Sequence, residues 1–138
     1  MGTGTIEREN GAVTGAVRFT MQTEGLAIGA AAILIYFRAG FSWQEFALLF
    51  LLPDLSMLGY LAGPRVGALA YNAAHSYVGP ALLATVGLAT SDTLVMPIAL
   101  IWVAHIGFDR MLGFGLKYGA GFGYTHLGRV GRAARERA

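Results

Sequence analysis

Cysteine is absent from this chain, so disulfides and thiolate metal sites are both excluded, and redox chemistry gives no clue to the compartment. Charge is scarce too. Only 13% of the 138 residues are charged and 55% are hydrophobic, whereas a soluble domain carries roughly 25% charged residues. That balance excludes an ordinary soluble fold and points to a single domain built for a bilayer. Residues 1–18 are polar and rich in Gly and Thr, with no cleavable apolar core. They read as a flexible cytoplasmic tail and not as a secretory signal.

What the chain has in excess is glycine, 20 residues, about twice the usual share and suited to helices that approach closely in lipid. Apolar runs predict an all-α fold, an integral membrane four-helix bundle over residues 19–116, followed by an interfacial segment and basic tail over 117–138. The first helix runs from about Phe19 to Phe37, with Gly25 and Gly29 forming a small-xxx-small face. The second, Phe46 to Leu61, is expected to kink at Pro53, which has no N–H for the Leu49 carbonyl. Gly63 and Pro64 open a third helix that meets Pro80 and continues to about Ala89. The fourth runs from near Thr93 to around Leu112. Arg8, Arg18, Arg65, Lys117, Arg129, Arg132, Arg135 and Arg137 fall on one side of such a bundle and Arg38 on the other, which predicts a multi-pass membrane protein with both termini cytoplasmic.

The segment Ala104-His105-Ile106-Gly107-Phe108-Asp109-Arg110 closes an apolar run with ionisable groups, which are costly at membrane depth and mark a functional hypothesis. His105 and Asp109 stand at i, i+4 and share a helix face. Counting from the cytoplasmic end at about 1.5 Å per residue puts Glu24 roughly 6–9 Å deep, Asp54 about 12 Å, His75 about 16 Å, His105 about 10–13 Å and Asp109 about 5 Å. All five share one half of the bilayer. Two histidines and two carboxylates suit zinc, manganese or iron, so Asp54, His75, His105 and Asp109 are the candidate metal ligands and Glu24 the candidate general base. Asn72, Arg65, Arg110, Lys117 and His126 are the supporting polar residues. A metal-bound hydroxide would serve a hydrolase acting on a lipid-like substrate. The other reading is a non-enzymatic membrane subunit or small carrier, in a complex or a homo-oligomer, whose polar residues form an interhelical hydrogen-bond network. Gly113, Gly115 and Gly119 follow no strand, so no phosphate loop is read there, and no nucleic-acid partner is expected.

Glu24-Gly25, the run Pro53 to Tyr60, Gly67 with Tyr71-Asn72 and His75, the run His105 to Arg110, Gly113 with Gly115-Leu116-Lys117-Tyr118, and Thr125 to Gly128 occur in this order. Together they resemble a bacterial family of small integral membrane proteins that is filed as a domain of unknown function, over about Arg18 to Gly131. The resemblance implies a location in a bacterial inner membrane and brings no activity. Pro53-Asp54 and His75-Ser76 are more loosely similar to motifs of membrane-bound metal-dependent hydrolases, whose second histidine-rich motif has no counterpart of the usual form here.

Overall fold

The computed structural model describes residues 12–135. The first eleven residues of the expected tail, with Arg8, lie outside that range, as does Arg137. Helix α1 is Gly15–Arg38, so the last four residues assigned to the tail form its first turn. Gly25, Gly29, Ala32 and Tyr36 are its buried residues, one stripe at helical spacing. The other faces leave Leu26, Leu34 and Ile35 exposed, as lipid contact requires.

Helix α2, Trp43–Leu49, is capped by the Ser42 hydroxyl, which accepts from the Glu45 amide. The chain then continues as a 3₁₀ helix over Leu52–Ala62. Pro53 cannot donate an amide proton, and the tighter winding begins there: the Asp54 amide donates to Leu51, three residues back. The expected kink is thus a change of helix type sustained for 11 residues. Helix α3, Pro64–His75, packs on this 3₁₀ helix. Gly67 lies directly under the Tyr60 ring, with no room for a side chain between them.

The expected third helix is in fact two. Helix α3 ends at His75, Ser76 is extended at φ −96°, ψ 147°, and helix α4 is Val78–Thr90. The cause is Pro80. In a continuous helix its ring would clash with the Ser76 carbonyl and its missing N–H would leave that carbonyl unpaired; in the first turn of a new helix it is tolerated. Helix α5, Val95–Leu112, packs against α1 on one side and α4 on the other. It closes at Gly113, whose φ of +88° turns the chain out of the helix. A hairpin of β1, Tyr124–Thr125, and β2, Gly128–Arg129, and a short helix α6, Arg132–Arg135, complete the described chain.

Three helical stretches are long and apolar enough to cross a membrane: α1, the combined α2 and 3₁₀ stretch Trp43–Ala62, and α5. The two halves α3 and α4, of 12 and 13 residues, are each shorter than the roughly 17 residues that a crossing needs.

The α1–α5 crossing is a backbone-to-backbone contact. A Cβ on Gly107 would stand 2.6 Å from the Gly25 carbonyl oxygen and 2.7 Å from the Gly29 backbone, whereas a Cβ on Gly29 would meet nothing nearer than 3.4 Å. Gly107→Ala should therefore push the helices apart and cost on the order of 1–3 kcal/mol, read as a fall in thermal unfolding temperature in detergent. Gly29→Ala should hold wild-type stability.

Candidate metal centre

Four side chains from three elements converge beside the α3–α4 break. Asp54 comes from the 3₁₀ helix, His75 from the last turn of α3, and His105 and Asp109 from successive turns of α5. The ligand atoms of all four lie within 4.8 Å of one another. His75 Nε2 is 3.2 Å from Asp54 Oδ1, 3.4 Å from Asp109 Oδ2 and 3.1 Å from His105 Nε2. His105 Nε2 is 3.4 Å from Asp54 Oδ1 and 3.6 Å from Asp109 Oδ2.

The tautomer of His75 follows from its other nitrogen. Nδ1 is 2.9 Å from the Tyr71 carbonyl oxygen, which can only accept, so Nδ1 carries the proton and Nε2 of the neutral ring presents a lone pair. That lone pair faces two carboxylate oxygens and a second imidazole nitrogen. Among the described residues, no lysine or arginine lies within ion-pair distance of Asp54 or Asp109; the two histidines do. The two imidazoles are closed off, with side-chain exposures of 0% and 2%; Asp109 is at 13% and Asp54, at 31%, is the member that the surroundings reach.

Tyr71 belongs to this group as well. Its ring stacks on His75 at 3.7 Å and 6°, and its hydroxyl donates to Asp109 Oδ2 at 3.2 Å. The signal for it lies in the spacing: Tyr71 and His75 are at i, i+4, the same relation as His105 and Asp109. Phe50 closes the other side with its ring edge-to-face on His105.

The remaining candidates sit elsewhere. Arg110 is buried, and its guanidinium donates to the carbonyls of His75 and Phe114, the first of these freed by the helix break. Arg65 is exposed at the start of α3. Glu24 is not brought to the cluster; it lines a separate cavity of about 100 Å³ with Tyr77 and Arg110. Asn72 clamps the backbone of Lys117, accepting from its amide at 2.6 Å and donating to its carbonyl at 2.8 Å. His126 accepts from the Leu116 amide through Nδ1 and returns its own amide to the Leu116 carbonyl. Burial, then the nearby Arg110 charge, holds His126 below the usual histidine range.

The mostly helical fold with its apolar spans and its cluster of histidine and carboxylate ligand atoms defines the class: a helical protein with three stretches able to cross a membrane and a histidine–carboxylate centre between them. The chain belongs to the family described as domain of unknown function DUF4260, which matches residues 18–130. Neither a curated protein nor a solved structure matches it.

Lys117 is 3% exposed, and its Nζ has no hydrogen-bond partner. It stands over the rings of Phe122 at 4.0 Å, Tyr71 at 4.8 Å and Phe114 at 5.7 Å. Burial pushes its pKa down from 10.5 to about 8. Between those values the unfolded chain holds a proton that the folded chain has released, so stability rises with pH. The gain is absent below about 8 and complete above the unfolded value. Unfolding followed from pH 7.5 to 10.5 should show a rise in wild type relative to Lys117→Met, in which this contribution is missing.

Proposed function

We propose that the chain holds one divalent ion, zinc with manganese or iron as alternatives, between Asp54, His75, His105 and Asp109, and uses it to hydrolyse a lipid-like substrate. One observation carries the reading. Five of the six separations among the four ligand atoms run from 3.1 to 3.6 Å and all six are within 4.8 Å, and the edge of a tetrahedron around an ion at 2.0–2.1 Å from its ligands is about 3.3–3.4 Å. The charge balance supports it: two carboxylates face two imidazoles, one with its lone pair fixed inward, and a cation is what such a set lacks. The Tyr71 carbonyl bond to His75 Nδ1 and the Tyr71 hydroxyl bond to Asp109 are the outer contacts that hold metal ligands in orientation. A bound divalent ion supplies the charge that lowers the pKa of its water towards neutrality. Asp54, the most accessible of the four, is the ligand whose place water can share.

The protein as purified in detergent without chelator should carry stoichiometric zinc, manganese or iron by elemental analysis, and His105→Ala should lose the metal while remaining folded. Metal-free wild type of full stability would sink this reading and leave the hydrogen-bonded, non-enzymatic one. In that case His105→Ala strips a buried carboxylate of its partner and costs about 1–3 kcal/mol, with no metal to lose.

The same reading puts both termini on the cytoplasmic side of the inner membrane, with α3 and α4 together making one broken crossing. Arg18, Arg65, Lys117 and the C-terminal arginines then share a face, opposite Arg38. Reporter fusions at residue 138 and near residue 91 should report opposite sides, cytoplasmic for the former. A cytoplasmic signal near residue 91 with a periplasmic one at residue 138 would remove the broken crossing from the topology.

A further inference from the structure

An apolar cavity of about 260 Å³ lies between the second and third candidate spans, lined by Leu49, Leu52 and Pro53 on one wall and Ile98, Ile101 and Trp102 on the other. We propose that it seats one acyl chain of a membrane lipid, with the lipid's polar end directed to the cluster of Asp54, His75, His105 and Asp109. Each wall leads to that cluster. Pro53 precedes Asp54, a third of a turn away on a 3₁₀ helix. Ile101 and Trp102 stand one turn before His105 on α5. The Trp102 indole N–H donates to the Ala74 carbonyl, the residue before His75, which fixes the indole as a wall.

The mouth is defined by Leu52 at 51% exposure and Ile98 at 40%, both on segments of membrane-spanning character. The cavity therefore opens sideways, where hydrocarbon and not water is the surrounding medium. Its size selects the occupant as well. Pockets for whole small molecules run from about 300 Å³ upward and place several polar groups along their walls; this one is smaller, and its walls are aliphatic and aromatic side chains, which matches a stretch of single chain. Asp54, the cluster member with the greatest exposure, follows directly on the cavity wall, so a head group entering from there meets it first. The direction of the head group rests on the metal reading above. The chain seat does not.

Trp102 and Trp43 are the two tryptophans of the chain, so the full-length Trp43→Phe protein in detergent has Trp102 as its single fluorophore. The probe is a phospholipid carrying bromine on one acyl chain, since bromine quenches tryptophan on contact. Quenching should saturate near one probe per protein, and Ile98→Phe, at the mouth, should weaken it severalfold. Quenching that climbs in proportion to probe content and is equal in both proteins means general contact with lipid and overturns the seat. A diazirine-bearing chain on unmodified protein provides the second measurement: adducts concentrated on Leu49, Leu52 or Ile98 support the seat, and adducts spread over the exposed faces overturn it even where Ile98→Phe does not fold. Saturable quenching in a protein without metal keeps the seat and removes the hydrolase reading. Metal without saturable quenching does the reverse.

Discussion

Pro80 has no proton to offer the Ser76 carbonyl, and much of the arrangement depends on that. The chain leaves helical geometry at Ser76, and the last carbonyls of α3 lose their partners in the helix. In an apolar setting such groups must be satisfied by the protein itself. Trp102 and Arg110, both on α5, take up Ala74 and His75. Those bonds set α5 against the end of α3, which brings His105 and Asp109 to the side chain of His75. A backbone defect in one segment thereby orients two ligand candidates on another.

The same requirement shapes the surroundings of the cluster. Arg110 is next to Asp109 in sequence, yet it spends its hydrogen bonds on carbonyls. Lys117 is also withheld, its ammonium lodged among aromatic faces with Tyr71 between it and His75. The two strongest local cations are kept off the carboxylates, and the imidazoles face them alone. A fold that needed only ion pairs at this depth had both cations within a residue or one aromatic ring of the acids.

Depth counting along the helices brought Asp54, His75, His105 and Asp109 into one slab, and their ligand atoms do converge. Within an α-helix the rise per residue is nearly invariant, so an apolar run with one polar interruption carries its own ruler. Glu24 shares the slab but faces another cavity, because depth carries no information about azimuth. The helix break was legible in Pro80 as a residue and not as an event: a proline can kink a helix or start one, and the N–H donors to the freed carbonyls, which decide between these, lie 28 and 35 residues further on. Lys117 lies in a glycine-rich stretch with no periodicity, where its clamp to Asn72 has no local signature. The division of the expected third helix was the least legible feature: Asn72, His75 and Ser76 interrupt its apolar run, and nothing in that polarity marks His75 as a helix end.

The close crossing of Gly25 and Gly29 with Gly107 has a consequence for biosynthesis. Helix α1 presents its smooth face to a partner encoded about 80 residues later, and ribosomes add roughly 5–20 residues per second. For several seconds that face is without its partner, and His75 waits for His105 over the 30 residues that separate them. The cluster of Asp54, His75, His105 and Asp109 can assemble only when the last long helix arrives.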